Sequence, residues 1–334
     1  MVRVAIMGFG RMGRNLFRAL HRDPDVEVVA INDIAEPAAI EYLLRFDSLQ
    51  GGFGEPVRVM DGYLYASGHR IPVLHEAEPG KVPWYDYGAE VVVEATGRYR
   101  SRAELARHLE AGADRVLLTV PPRDAIDAVH IRGVSPEPIL REHRILSCGS
   151  STANCVALML KTLDDAFGVE EAFFTSVHAY TTEQSLIDVP SNVNLRLSRA
   201  AVENIVPVDS WTEQGIPQLF PKLAGRFAGC KLQVPVPDVS CVDLVTTLSE
   251  SVAPGEVNEV FRSVAGTTQA GIVDYTEEPI VSSDVSHSTA SCTFDSLATM
   301  VVGGTMVKTL GWYSQGGGLA HRLVEVIRQL APRS

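Results

Sequence analysis

Residues 8–13 read Gly-Phe-Gly-Arg-Met-Gly, at the point where an apolar strand pattern (Val2 to Gly8) gives way to a helical one (Arg11 to Arg22). A glycine-rich turn between strand and helix lets the backbone approach a pyrophosphate, and the helix N-terminus supplies donors and positive potential. Alone, G-x-G-x-x-G is weak, because any tight turn needs glycine. Context strengthens it. A second strand, Val26 to Asp33, ends on a carboxylate 20 positions after Gly13. A carboxylate there accepts hydrogen bonds from ribose hydroxyls and repels a 2′-phosphate. Gly8, Phe9, Gly10, Arg11, Met12, Gly13 and Asp33 are therefore expected to hold a dinucleotide, NAD in preference to NADP.

The chain around this motif alternates strand and helix. Helices are expected at Pro37 to about Leu44 and at Ser101 to Ala113, the latter opened by a Ser101/Glu104 capping box. Strands are expected at Ala89 to Gly97, Arg115 to Val120 and Ile145 to Ser147, with a hairpin insertion from Val57 to Leu74 turning at Asp61-Gly62 and Ser67-Gly68. This is the pattern of an α/β chain with a doubly wound parallel (Rossmann) sheet. After residue 151 the texture changes. A helix from Thr152 to Phe167 leads into β-rich stretches, Ala172 to Thr181, Lys231 to Leu248 and Met300 to Tyr313, as in an α+β domain with a largely antiparallel sheet. The polar stretch Thr182 to Ser198 shows few helix or strand signals, and Pro254 to Val264 reads as a further helix. The expected division is residues 1–150, completed by a C-terminal helix in 316–334, and residues 151–315.

Composition removes several classes of function. With 29 basic against 41 acidic residues and a net charge of −12, the chain is a poor general binder of nucleic acid. No apolar run approaches the roughly 20 residues that span a bilayer, and the N-terminus starts directly as a strand, so no membrane association is expected. Five cysteines, none in a CxxC pair, make no disulfide framework. His75, His108, His143, His287 and His321 lack metal-ligand spacing, and they and Trp84 and Trp312 read as packing or surface residues. A soluble, cytoplasmic protein without a metal is expected.

Two segments carry a resemblance. Ser147-Cys148-Gly149-Ser150-Ser151-Thr152-Ala153-Asn154-Cys155 closely resembles the active-site segment of glyceraldehyde-3-phosphate dehydrogenases, usually S-N-A-S-C-T-T-N-C, and Ser176-Val177-His178-Ala179-Tyr180-Thr181 looks like the segment bearing that family's general base. INDIAEPAAIEYLLRFDS, EATGRY, RAAVENIVP, VPVPDVSCVDL and the closing WY segment extend the resemblance over essentially the whole chain. NIVPVDS, GIVDYTEEP and the phrase around Phe220-Pro221 look closer to the erythrose-4-phosphate dehydrogenase branch. The resemblance implies NAD as cofactor, with Thr96, Gly97, Thr119 and Gln315 as further contacts, and a small-molecule aldehyde as substrate. It also implies a homotetramer, through the Val189-Pro190 loop. In the family a thiolate attacks the aldehyde, hydride leaves to the nicotinamide, and the thioester goes to phosphate or to water.

Residue 151, where the family has its cysteine, is Ser151, with His178 as the base. A hydroxyl is far less acidic than a thiol, and an imidazole without a third group to orient it is a weak activator. Three explanations stand open: an engineered Cys-to-Ser trap, a natural relative that has lost the oxidation, or serine as the nucleophile. Serine is also a good N-cap, the place a helix starting at Thr152 would give it. Cys148 and Cys155 read as buried bystanders.

The family's two anion pockets map onto Ser150, Thr152, Thr181 and Arg199, which are retained, and onto four altered positions. Gln233 stands for an arginine, Trp211 for a glycine beside Ser210, Glu183 for an aspartate, and Gln315 for the asparagine that holds the nicotinamide carboxamide. A lost charge-assisted contact is worth about 1.5–3 kcal/mol, roughly 10- to 100-fold in affinity. Arg196 is a candidate substitute. The expectation is NAD-dependent oxidation of a small polar or anionic aldehyde, with or without a phosphate; the alternative is a catalytically silent NAD-binding relative.

Overall fold

A computed structural model of the chain describes residues 1–135, 138–191 and 194–330. Parts of the expected polar stretch (192–193), of the first domain (136–137) and of the C-terminal helix (331–334) lie outside the described residues. The chain divides into two compact units, the first built from the N-terminal part to Ser150 plus the segment from Leu319, the second from Ser151 to Gly318. Gly133, Val134 and Ser135, inside the expected first domain, group with the second unit.

In the first unit, β1 (Val2–Met7), α1 (Arg11–Leu20), β2 (Val26–Asn32) and α2 (Pro37–Arg45) open a sheet, followed by the meander β3 (Val57–Met60), β4 (Tyr63–Ala66) and β5 (His69–Leu74). Asp61-Gly62 and Ser67-Gly68 all have positive φ, as type I′ hairpin turns demand, so the insertion is two successive hairpins. Then come α3 (Trp84–Tyr87), β6 (Val91–Glu94), α4 (Arg102–Glu110), β7 (Arg115–Leu118), β8 (Ala128–Val129) and β9 (Ile145–Ser147). The strand order is β3-β4-β5-β2-β1-β6-β7-β9-β8, parallel from β5 onward. Strands β1, β6 and β7 are apolar on both faces because helices cover both. The order reverses between β1 and β6, and that switch point is where such sheets open a crevice at their carboxyl ends.

The second unit opens with α5 (Ser151–Phe167), then β10 (Val169–Ala179), β11 (Val206–Val208), α6 (Thr212–Leu219), β12 (Phe227–Val234), β13 (Ser240–Leu248), α7 (Pro254–Gly266), β14 (Val273–Thr276), β15 (Cys292–Val302) and β16 (Met306–Tyr313). Its sheet runs β11-β12-β10-β13-β16-β15-β14; β12 and β14 pair in parallel with β10 and β15, and the other pairs are antiparallel. The stretch expected as one strand from Met300 to Tyr313 is the end of β15 and all of β16, reversed at Gly303-Gly304, both with positive φ. Lys231 to Leu248 is likewise two strands, broken where the Pro235 and Pro237 neighbourhood cannot supply ladder donors. The buried helix α5 covers one face of this sheet, and Phe261 of α7 stacks on Phe294 of β15. The last helix, α8 (Gly317–Gln329), belongs from Leu319 to the first unit, where Leu323 and Ile327 share a core with Leu16, Phe17 and Leu20.

Candidate active site

The glycines of the first turn have different physical reasons. Gly8 has φ +93°, and a Cβ on it would meet Thr96 at 2.8 Å. A Cβ on Gly13 would lie 2.1 Å from the Gly8 carbonyl oxygen, so only glycine lets α1 pack on the turn. Gly10 faces open space, with no atom within 4 Å of where its Cβ would stand. A backbone bared to an open cleft at a helix N-terminus fits a pyrophosphate. The cleft, about 260 Å³, is lined by Gly8 and Gly10 after β1, Asn32 and Asp33 after β2, Ala95 and Thr96 after β6, and Glu76, Arg98 and Tyr99.

Asp33 accepts the Phe9 N–H at 2.5 Å and the Ala35 N–H at 2.8 Å, which fixes its carboxylate against the motif. Asn32, which sequence reasoning passed over, exchanges two hydrogen bonds with the Glu76 backbone and so holds the far wall. Thr96 is tied to the Glu94 carboxylate through its N–H at 2.8 Å and its hydroxyl. Glu94 is itself buried against His108 Nε2 at 3.0 Å, while Trp84 Nε1 donates to His108 Nδ1 at 3.0 Å. His108, expected to be a packing residue, therefore braces the wall of the cleft through Glu94. Thr119 is buried with its hydroxyl on the Glu94 carbonyl, Gly97 is exposed at φ +69°, Arg11 is half-buried, and Met12 packs against the core.

In the second unit, α5 starts at Ser151 rather than Thr152, so Ser151 is the first helical residue and not the expected N-cap. Its hydroxyl donates to the Gln315 carbonyl at 3.0 Å. The Gln315 amide donates to the Ala179 carbonyl at 2.8 Å and lies 3.2 Å from His178 Nδ1, while its N–H meets Asp238 at 3.2 Å. Gln315 thus links Ser151 to the His178 strand. His178 Nδ1 lies 2.6 Å from the Ala179 carbonyl. The Ala179 carbonyl suits a proton on Nδ1, while the Gln315 amide N–H on the same nitrogen suits the other tautomer. Beside Asp238, Val239 is held at φ +58°, a costly conformation for a β-branched residue, in the turn that presents Asp238 to Gln315.

Thr152 is buried with its hydroxyl 2.7 Å from Tyr313, and Ser176 reaches the same phenol at 2.9 Å. Tyr313, buried and with its phenol pushed up by burial, ties α5 to β10 and β16. No local signal marks it, since its partners lie 161 and 137 residues away. Thr181 sits at 3.5 Å from the amide of buried Gln233. Ser210 is half-buried, and Trp211 folds over its own helix, where a Cβ on Gly215 would lie 2.2 Å from the indole. Arg199 is exposed and pairs with Asp188 at 3.1 Å; Arg196 and Glu183 are exposed, and Ser150 closes the first unit.

Burial pushes the Cys148 thiol up to about 12, the Cys241 thiol up to about 11, and the Cys155 thiol well above its ordinary value beside Cys292. Thiols so displaced are poor nucleophiles.

Residues 2–102 match the glyceraldehyde 3-phosphate dehydrogenase NAD binding domain, and residues 147–315 match the C-terminal domain of the same family. The chain belongs to the glyceraldehyde-3-phosphate dehydrogenase family. It is 39% identical over 333 residues to the glyceraldehyde-3-phosphate dehydrogenase of Geobacillus stearothermophilus, covering 99% of each chain. It is 42% identical over 335 residues to that of Kitasatospora aureofaciens, covering 100% of each. A family member of this kind is an NAD-dependent oxidoreductase, and the open backbone at Gly10 beside the fixed Asp33 carboxylate fits that cofactor. Among the described residues, no helix is long and apolar enough to cross a membrane.

Proposed function

We propose that this chain binds NAD and a small polar or anionic aldehyde, and that residue 151 occupies the nucleophile position of the family with His178 as its base. The observation that carries the reading is the linked set Ser151–Gln315–His178–Ala179, in which Gln315 joins the start of α5 to the imidazole. Gly10 and Asp33 would hold the cofactor, which supplies a hydride acceptor when bound. His178 Nε2 takes the proton of the attacking group and Nδ1–H keeps the ring in place through the Ala179 carbonyl. The Ser151 hydroxyl must leave the Gln315 carbonyl before its proton can pass to that base. A serine hydroxyl yields its proton far less readily than a thiol, so slow or absent oxidation is expected of the chain as it stands. The departures at Trp211, Glu183 and Gln233 support a substrate whose anionic group differs in size or position from the glycolytic one, in line with the erythrose-4-phosphate phrases NIVPVDS and GIVDYTEEP.

The test is Ser151→Cys, assayed for NADH formation at 340 nm with glyceraldehyde-3-phosphate, erythrose-4-phosphate and unphosphorylated aldehydes. Turnover at least 100-fold above the Ser151 protein supports the reading. A folded, NAD-binding variant that reduces no cofactor with any of them makes the chain a silent binding relative. A cytoplasmic homotetramer is part of the same proposal, resting on the family and on the exposed apolar side chains Leu186, Ile187 and Leu195.

A further inference from the structure

We propose that Lys231 is a specificity-determining residue that pairs with the anionic group of the substrate, in place of a cation at position 233. The ligand's identity rests on the aldehyde reading above; the placement of the cation does not. In the β10–β12 pairing, Phe174 stands opposite Gly229, Ser176 opposite Lys231 and His178 opposite Gln233. Cross-strand partners share a face, and residues two apart on a strand return to that face about 7 Å along. The face is identified twice over. A Cβ on Gly229 would strike the Phe174 ring, and Ser176 reaches Tyr313 and through it Thr152 of α5. Cys230, the intervening residue, contacts Thr175 on the opposite side of the sheet. Lys231 therefore rises from the same face as His178, two residues from Gln233.

Among the described residues, one side-chain oxygen on this face lacks a protein partner, and a lysine ammonium stands beside it without an ion pair. Gln233 is 2% exposed, and its Oε1 has no hydrogen-bond partner among the described residues. Lys231 is half-buried; burial pushes its ammonium below the usual lysine range, and the Glu183 carboxylate acts in the opposite sense. Among the described residues no carboxylate comes within ion-pair distance of it. A half-buried ammonium without an ion pair has lost part of its water, and an anion can replace it. The competing cations are less suited: Arg199 already pairs with Asp188 at 3.1 Å, and Arg196 is exposed on a short 3₁₀ turn. The strand β11 brings Val208 opposite Lys231.

The experiment has a binding arm and a turnover arm. In the first, the NAD-saturated Ser151 protein is titrated calorimetrically with inorganic phosphate and with acetate, beside Lys231→Met and Lys231→Arg. Binding that weakens roughly 10- to 100-fold in Lys231→Met and is kept in Lys231→Arg, with NAD affinity unchanged, supports the proposal. Equal binding in Lys231→Met overturns it, and so does a parent that takes up neither inorganic phosphate nor acetate. In the second arm the same changes are placed on Ser151→Cys. KM for phosphorylated and for carboxylate-bearing aldehydes should rise in Lys231→Met while kcat and the KM for glyceraldehyde stay level, and the anion with the larger rise identifies the natural group. If Ser151→Cys never reduces NAD but phosphate binding still needs Lys231, the aldehyde reading fails and the cation assignment stands. Should Lys231→Met fail to fold, Lys231→Gln takes its place in both arms.

Discussion

At the scale of single residues, the cofactor turn separates two kinds of glycine that look alike in sequence. Gly10 has φ −69° and open space beyond its Cα, so Gly10→Ala should fold normally and keep its thermal midpoint. Its methyl group would occupy the ligand's approach, and NAD affinity should fall at least 10-fold by fluorescence titration. Gly13→Ala should behave oppositely. A Cβ at 2.1 Å from a backbone oxygen forces α1 off the turn, and a loss of about 1–3 kcal/mol should show as a midpoint several degrees lower. Asp33 is held by two backbone N–H groups, so Asp33→Asn loses charge-assisted bonds within the protein as well as to ribose. The ratio of NAD to NADP affinity should drop about tenfold or more, measured by titrating both. A variant with an unchanged ratio would remove Asp33 from cofactor choice.

At the scale of elements, local sequence decides how helices begin and tertiary contacts decide how they are anchored. The capping box of α4 was legible because Ser101 and Glu104 are three residues apart, and both reciprocal bonds form. Hydrogen bonds from Ser101, and from the Arg100 N–H, hold the Glu104 carboxyl down to about 2. Its folded pKa lies below the unfolded value, so its stabilisation is present above about pH 4.5 and is lost as pH falls toward 2. Glu104→Gln should therefore lower the thermal midpoint at pH 7, a difference that shrinks below pH 4.5 and is mostly gone by about pH 2. The start of α5 was legible only to within one residue, and that residue matters, because it turns Ser151 from a cap into a helical residue bonded to Gln315. The anchoring of α5 was not legible at all. Tyr313→Phe leaves the buried Thr152 and Ser176 hydroxyls without their shared partner, so chemical denaturation should show a loss of about 1–3 kcal/mol. Adding Ser176→Ala should return part of it.

At the scale of the whole molecule, two compact units account for a chain of 334 residues, and each carries its own chemistry: a cofactor cleft in the first, a serine, an imidazole and a half-buried lysine in the second. Several large apolar side chains remain on the surface, among them Leu195 at 83% and Ile187 at 72% exposure. Exposed apolar side chains of this size are candidates for burial between subunits. Sedimentation velocity should find a tetramer, and Ile187→Asp with Leu195→Asp should shift it toward smaller species with little change in secondary structure by circular dichroism. A monomeric parent would contradict the homotetramer.

What the sequence determined by itself is whatever rests on neighbours in the chain. The strand-turn-helix with its glycines, the parallel alternation, the I′ turns at 61–62 and 67–68 and the capping box all follow from contacts a few residues apart. Tertiary structure alone decided what depends on register. It set Lys231 on the face of His178, gave Tyr313 its two hydroxyl partners, bent the Gln315 side chain to the imidazole and braced Thr96 through Glu94 and His108. The physical reason is that a one-residue slip in strand pairing exchanges the two faces of a sheet, and no local pattern records which partner a strand will meet.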